Sequence, residues 1–255
     1  MIVSLELVPR NQEALAGGAQ AIKEFAAISR INVPDLLRFP IRSWEACEML
    51  NQENAPGKNP PSLIPHLRAI DFDPDRPFPH KDFFRAQGIK EALVISGDPP
   101  AENDTRKIWP IDSLGFIKKL KAEMPELQIF AAFDPYRSNI RYELDYLDKK
   151  EAAGAAGFMS QPFFDLRLLE IYAEYLEGKN VYWGVSPALT DSNRRYWESR
   201  NRAVFPKSFR PGMEWNINFG RSVLRFCEDR GFNLYLMPIK IDIRSYLSGL
   251  FNPGP

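Results

Sequence analysis

Near the start of the sequence, the segment IVSLELVPR at residues 2–10 has the apolar content of a buried β-strand and one charged side chain. Its leucines, isoleucine and valines suit such a strand, whereas Glu6 places a carboxylate inside it. Seven further short apolar runs follow along the chain. Together they predict eight strands, at residues 2–7, 28–33, 62–67, 92–96, 128–133, 157–161, 181–187 and 233–239.

Amphipathic stretches lie between these runs, and several end at a glycine, which is a common helix stop. Strands that alternate with helices over short connections are typical of a parallel sheet covered by helices. Eight such repeats indicate an α/β fold, a closed (β/α)8 TIM barrel in which residues 1–255 form a single domain. An open dinucleotide-binding sheet is disfavoured, because no G-x-G-x-x-G motif follows the first strand. The predicted helices cover residues 11–25, 43–54, 113–124, 142–154, 165–178 and 214–231.

Two proline-rich stretches, residues 55–65 and 71–80, are predicted to be loops of the barrel rather than linkers between domains. The tail FNPGP, residues 251–255, is expected to fray. The chain therefore has no predicted boundary that would divide it into two domains.

Composition and charge exclude several classes of protein. A formal net charge of zero argues against a general nucleic-acid binder, which needs an excess of basic residues. No signal peptide or long apolar run is present, which predicts a cytoplasmic protein without a membrane segment. Cys47 and Cys227 are far apart, and the two histidines are too few for a multi-histidine site, so no metal site is predicted.

Polar residues occur where the predicted strands end, which is where a barrel carries its chemistry. Each of them also has a plainer explanation. Glu6 could form an ion pair with Lys240 inside the barrel, and Asp98 could cap a turn. His66 could be a core histidine, Gln161 could bond to the barrel backbone, and Lys149 and Lys150 could lie on a solvated helix face. The strand ends supply Glu6, His66, Arg68, Ser96, Gly97, Asp98, Asp134, Tyr136, Arg137, Gln161, Ser186, Lys240 and Asp242.

Six segments of the chain, in order, are similar to sequence motifs of one enzyme family. The segment GIKEALVISGDPP resembles that family's G-I-x-x-I-x-A-L-R-G-D-x-P signature, and SQPFFD resembles its T-Q-F-F-F-D motif. On these residues the chain resembles the catalytic barrel of methylenetetrahydrofolate reductase, as a short and divergent member. The six segments are SLELVP (4–9), IPHLRAID (64–71), GIKEALVISGDPP (88–100), IFAAFDP (129–135), ELDYLDKKEAAGA (143–155) and SQPFFD (160–165).

The resemblance implies reduction of 5,10-methylenetetrahydrofolate to 5-methyltetrahydrofolate by hydride transfer from FAD, which NADH or an electron-donor protein would reduce. It implies that Glu6 is the general acid that protonates the folate nitrogen. A glutamate in an apolar strand suits that role, because burial raises its pKa. Asp98 would act in catalysis and in binding both substrate and flavin, and Gln161 would bind the pterin. The implied FAD-binding residues are His66, Gly97, Asp98, Ala132, Lys149 and Lys150.

The chain departs from the family pattern at positions that contact the cofactor or its reductant. The second strand lacks a threonine–tyrosine pair, Ser96 replaces an arginine, and Lys240 and Ile241 replace an asparagine–arginine pair. The alternatives are therefore a flavin-free reductase that uses NADH, a non-catalytic or partner-dependent folate- or flavin-binding subunit, and a pterin-dependent methyltransferase barrel. A homo-oligomer is compatible with each. The basic segment at residues 191–211 could bind a polyglutamate tail or form a solvated helix face.

Overall fold

The computed structural model describes residues 1–53, 60–100 and 105–251. Its eight strands are all parallel and form a closed barrel in which each strand pairs with the next and β8 pairs with β1. This architecture confirms the predicted TIM barrel. The strands are β1 (Val3–Glu6), β2 (Ile28–Val33), β3 (Ser62–Arg68), β4 (Glu91–Ile95), β5 (Gln128–Phe133), β6 (Gly157–Phe163), β7 (Val181–Val185) and β8 (Asn233–Leu236).

Nine α-helices occur in the described parts of the chain, and six of them are those predicted, with ends that differ by a few residues. The sequence prediction missed α3, α7 and α9. The first has six residues, and α7 is so polar that it has almost no apolar periodicity. The helices are α1 (Gln12–Ile22), α2 (Ser43–Gln52), α3 (Lys81–Ala86), α4 (Ser113–Glu123), α5 (Ile140–Ala152), α6 (Leu166–Tyr175), α7 (Asp191–Asn201), α8 (Met213–Arg230) and α9 (Ile243–Phe251).

Side chains alternate between two cores along each strand, because successive strand residues point to opposite faces of the sheet. On β1, Val3 and Leu5 pack outward in the large core between barrel and helices. A smaller core fills the barrel itself. Full burial of each large apolar side chain contributes roughly 1.5–3 kcal/mol to folding. The inner core consists of Ile64, Leu93, Phe130, Met159, Tyr182, Tyr235 and Met237.

Barrel closure brings the first and last strands together although they are far apart in sequence. Ser4 of β1 is in register with Tyr235 of β8, and Leu5 is in register with Leu236. On its other side, β1 pairs with β2, and Glu6 is in register with Asn32. The carboxyl end of β1 therefore has polar neighbours on both sides.

An aromatic cluster lies at the carboxyl ends of β6 and β7 and holds α7 against the barrel. Phe164 follows β6 directly and stacks on Phe205, with ring centroids 4.2 Å apart. Trp197 is the buried residue of α7 and also contacts Phe164. The basic segment at residues 191–211 thus forms a helix and a loop that are anchored over one side of the barrel mouth.

The remaining expectations about loops and thiols have mixed outcomes. Residues 55–59 of the predicted loop 55–65 lie outside the described residues, and residues 62–65 belong to β3. Residues 252–255 of the tail also lie outside them. Both cysteines are buried and free, as expected. Within the described ranges, no helix is long and apolar enough to cross a membrane.

Candidate functional site

Glu6 is the last residue of β1 and points into the mouth of the barrel, because Ser4 and Glu6 alternate with the outward-facing Leu5. The Tyr235 hydroxyl donates a hydrogen bond to the Glu6 carboxylate. Burial raises the pKa of Glu6 from 4.5 to about 7, and the Tyr235 hydrogen bond opposes that rise. The partner of Glu6 is thus Tyr235. Glu6 and Lys240, both among the described residues, do not form an ion pair with each other.

Tyr235 stays neutral, because burial and the neighbouring carboxylate both raise its pKa well above the usual value of 10. A neutral hydroxyl can donate to an ionised carboxylate and can remain in contact with a protonated one. The Glu6–Tyr235 pair can therefore exist in both protonation states of Glu6, which a residue that transfers a proton requires.

A buried polar network lies beside this pair. The Asn32 amide donates to the Ser4 hydroxyl, and His66 Nε2 lies 3.3 Å from Asn32 Oδ1. Burial lowers the pKa of His66 from 6.5 to about 3, so the ring is neutral. Because the amide oxygen can only accept, we assign the ring proton to Nε2. His66 is thus buried, and its partner is the amide side chain of Asn32.

Asn32 was missed in the sequence analysis, although a signal was present. It is fully buried in β2, and it follows Arg30 by two residues, on the same face of the strand. A polar residue on the inner face of a barrel strand is unusual enough to mark a site. The second strand therefore contributes a buried amide beside Glu6.

Gly97 and Asp98 follow β4 at the rim of the mouth. Gly97 has a φ of +88°, and a Cβ there would lie 2.9 Å from the Ile70 side chain, so the position favours glycine. The Asp98 side chain is 80% exposed and pairs with Arg200 of α7, with 3.5 Å between Nη2 and Oδ2. Arg68 donates to the Asp98 carbonyl oxygen over 2.9 Å. Asp98 therefore connects the loop after β4 to α7.

Lys149 and Lys150 have different environments, although they are adjacent near the end of α5. Lys149 is exposed, as the solvated-face explanation requires. Lys150 is 4% exposed, and its ammonium group donates to the Ala132 carbonyl oxygen over 2.7 Å. It also lies 4.4 Å from the centre of the Tyr146 ring. Burial lowers the pKa of Lys150 to about 8. The solvated-face explanation is wrong for Lys150, because this ammonium group binds β5 internally.

Gln161 is partly buried on β6 at an irregular point of the sheet. The register between β6 and β7 shifts between Met159 and Pro162, and the Ser160 hydroxyl accepts a hydrogen bond from the Gly184 amide over 2.7 Å. Such bulges redirect side chains and are common next to active sites. Gln161 lies within this irregular stretch of β6.

An ion-pair network that the sequence analysis did not predict supports the rim from the side of β2 and β3. Arg42 binds Asp35 over 2.8 Å, measured from Nε to Oδ1, and Asp71 over 2.9 Å, measured from Nη2 to Oδ2. Arg68 lies 3.2 Å from Asp71. Since Arg68 also binds the Asp98 carbonyl group, the network joins the segments that follow β2, β3 and β4. In the described residues, no group of acidic, histidine or cysteine side chains could hold a metal ion.

A cleft of about 260 Å³ opens beside Glu6, between α1 and the turn that joins β8 to α9. Its walls are partly apolar and partly polar, and Arg10, Lys240 and Asp242 are its other charged residues. The candidate site therefore has a carboxylic acid at the edge of a cavity that can admit part of a small molecule.

No model of a known protein family matches the chain. A curated relative, the 5,10-methylenetetrahydrofolate reductase of Buchnera aphidicola subsp. Schizaphis graminum, is 23% identical over 153 residues, or 57% of this chain and 51% of the relative. The chain thus aligns with about half the length of that relative. This similarity supports the family resemblance found from the motifs.

Solved structures share the barrel at low sequence identity, which supports the fold alone. Oxaloacetate acetylhydrolase has a TM-score of 0.61 at 11% identity, and the match covers 97% of this chain and 79% of that one. The 2,3-dimethylmalate lyase of the PEP mutase/isocitrate lyase superfamily has 0.59 at 8%, covering 94% and 75%. Yersinia pestis DHPS with a pterine–sulfa conjugate has 0.51 at 11%, covering 98% and 91%. The chain is therefore a TIM barrel whose sequence is similar to that of a 5,10-methylenetetrahydrofolate reductase.

Proposed function

We propose that the protein reduces 5,10-methylenetetrahydrofolate to 5-methyltetrahydrofolate and that Glu6 is the general acid. The observation that carries the proposal is the Glu6 carboxyl group at the barrel mouth, whose pKa is raised to about 7 while Tyr235 holds it in place. General acids work best when their pKa lies near the operating pH. The named relative supplies the reaction class.

Glu6 begins the reaction by giving its proton to a nitrogen of the five-membered ring that contains the methylene carbon. The bond from that nitrogen to the carbon breaks, and a cationic N=CH₂ group remains on the other nitrogen. A hydride then adds to the carbon and forms the methyl group. The Glu6 carboxylate, still hydrogen-bonded to Tyr235, takes a proton from solvent before the next turnover.

Gln161 and Asp98 have the substrate-binding roles that the resemblance gives them. Gln161 offers an amide that can both donate to and accept from a pterin edge. Asp98, at the rim and paired with Arg200, would orient the substrate from the side of β4. Its high exposure favours a binding role at the rim over the catalytic role that the resemblance also implies.

The residues assigned to FAD do not fit that group as a set. FAD supplies a ring that carries the hydride when it is bound. The Lys150 ammonium group is buried on the Ala132 carbonyl oxygen, and His66 faces Asn32 in the interior. Lys149 is exposed on α5, which leaves Gly97 and Asp98 as the assigned residues at the mouth. These contacts favour the flavin-free variant, in which NADH gives its hydride directly, over FAD-dependent reduction.

The test is oxidation of NADH by the purified protein, with and without 5,10-methylenetetrahydrofolate and with and without added FAD. We expect folate-dependent oxidation that added FAD does not accelerate. If oxidation requires FAD, and a flavin absorbance stays with the protein on gel filtration, the protein is an FAD-dependent reductase instead. No oxidation under either condition, with folate still bound in a calorimetric titration, would identify a non-catalytic binding subunit.

The Tyr235 hydrogen bond gives a prediction about pH dependence. Because the acid must be protonated, kcat/KM of the wild-type protein should fall as the pH rises through about 7. Replacement of Tyr235 by phenylalanine removes the hydrogen bond that favours the ionised carboxylate, so the pKa of Glu6 rises further. The pH at which kcat/KM begins to fall should then increase by about one pH unit.

The measurement is the pH profile of kcat/KM for wild type and Tyr235→Phe. Tyr182→Phe is the control, since Tyr182 also belongs to the inner core and its hydroxyl does not contact Glu6. A profile of Tyr235→Phe that coincides with the wild-type profile would show that Glu6 does not control the decline.

A further inference from the structure

The cleft beside Glu6 has the size and lining of a ligand subsite. Its volume of about 260 Å³ exceeds the roughly 150 Å³ that accommodates a benzene ring. The apolar walls come from Leu7 and Val8 after β1, from one face of α1, and from Pro238, Ile241 and Ile243 on the other side. A flat ring with one further substituent would fill it.

Two cations line the cleft without internal partners. Neither the Arg10 guanidinium nor the Lys240 ammonium group has an ion pair or hydrogen bond among residues 1–53, 60–100 and 105–251. Asp242, the lining anion on the same turn, is engaged at the start of α9, where it accepts from the Ser245 backbone amide. Arg10, Lys240 and Asp242 together give this end of the cleft a formal net charge of +1.

Lys240 also has a backbone conformation that lysine does not favour. Its φ is +56°, in the left-handed region, which costs a residue with a Cβ roughly 1–2 kcal/mol. Glycine or asparagine would occupy the position more easily. A lysine here suggests that its charge is used.

Gly17 has no packing reason to be glycine. It lies within α1, and a Cβ added there would meet no atom within 4 Å. Glycine inside a helix costs about 1 kcal/mol relative to alanine. Neighbouring Gly18 is different, since a Cβ there would lie 2.3 Å from Leu7. Gly17 is exposed to solvent and lines the cleft.

We propose that this cleft binds an anionic, ring-containing segment of a small-molecule ligand, with the ring against α1 and the anionic group between Arg10 and Lys240. Because Glu6 lines the same cleft, the segment lies next to the proposed acid. In that respect the inference rests on the proposed function, in which it assigns a subsite for a carboxylate-bearing part of the substrate.

Benzoate is the probe, and benzamide is its neutral counterpart. Titration of each into the full chain, followed by NMR chemical shifts, should show saturable binding that is several-fold tighter for benzoate. Gly17→Leu should fill the cleft and weaken benzoate binding at least tenfold while the protein stays folded, because leucine favours the helix. Gln20→Leu, an exposed change on α1 outside the cleft, should bind benzoate as wild type does.

Lys240→Asn removes the positive charge and keeps the backbone conformation, since asparagine tolerates the left-handed region. It therefore tests the contribution of the charge to binding apart from that of the cleft's shape. It should weaken benzoate binding several-fold and leave benzamide binding unchanged. Benzoate binding that is absent, or that survives Gly17→Leu at wild-type strength, would overturn the proposal. So would equal losses of benzoate and benzamide binding in Lys240→Asn.

The contact with Glu6 has its own readout. Glu6 lines the cleft, and burial raises its pKa to about 7, so its charge changes between about pH 6 and about pH 8. Benzoate should bind several-fold more weakly at the higher pH, and Glu6→Gln should abolish this difference. A wild-type affinity for benzoate that does not depend on pH would show that the bound ligand does not lie next to Glu6. These titrations need no folate or NADH, so they give an answer even if the reductase assay fails.

Discussion

Replacement of Glu6 by glutamine is expected to lower kcat for folate-dependent NADH oxidation by about 10²- to 10⁴-fold, the usual contribution of a general acid. Glutamine has nearly the shape of the protonated carboxyl group and can still contact the Tyr235 hydroxyl. It cannot release a proton at any accessible pH, so the ring-opening step loses its acid while the mouth keeps its form.

Steady-state kinetics of Glu6→Gln, with KM for the folate determined separately, checks this expectation. We expect KM to change by less than kcat, because the proton transfer belongs to the transition state rather than to binding. Glu170→Gln, on the exposed surface of α6, is the matched control and should retain wild-type rates. A kcat of Glu6→Gln within a few-fold of wild type would remove Glu6 from the chemistry.

The barrel could be predicted because its signal is local and repeated. Each of the eight strands is a short apolar run between amphipathic stretches, so its position follows from the local residue pattern. Helix α7 was missed because its sequence is polar nearly all round, and Trp197 is its one buried residue. Its place in the fold depends on aromatic contacts with Phe164, which no local pattern contains.

Site residues divide in the same way. Glu6 stands out in the sequence because it interrupts an apolar strand. Its partner Tyr235 does not, because a tyrosine in a strand needs no explanation, and the contact exists only once β8 closes against β1. The Asp98–Arg200 pair likewise joins two loops that only the fold brings together. The family motif pointed to Lys150 as a cofactor-binding residue. Its ammonium group instead donates to the Ala132 carbonyl oxygen, a contact that the motif does not contain.

Glu6→Gln is expected to stabilise the protein at pH 8 by up to about 3 kcal/mol. In the folded protein Glu6 keeps its proton up to about pH 7, whereas its ordinary pKa is 4.5. The stability that this carboxyl group contributes is therefore fully present below pH 4.5 and is lost as the pH rises to about 7. That interval, at about 1.4 kcal/mol for each pH unit, corresponds to about 3 kcal/mol. Glutamine, which does not ionise, escapes the loss.

Urea unfolding of wild type and Glu6→Gln at about pH 5 and about pH 8 measures this difference. The two proteins should differ by less than about 1 kcal/mol at the lower pH, and the variant should have the clearly higher midpoint at the upper pH. Glu170→Gln should show no such dependence, because its carboxylate is exposed. A variant that is no more stable than wild type at pH 8 would mean that the carboxyl group is not destabilised by burial.

The combination of the two results would be specific. If the Glu6 carboxylate stabilised the fold, its replacement by glutamine would lower the free energy of unfolding, because its hydrogen-bond partner would be left with a weaker acceptor. If the carboxylate is present for catalysis, the same replacement raises the free energy of unfolding above pH 7, because the buried, ionised form opposes folding. Loss of turnover together with a gain of stability above pH 7 would therefore identify Glu6 as a residue retained for its proton.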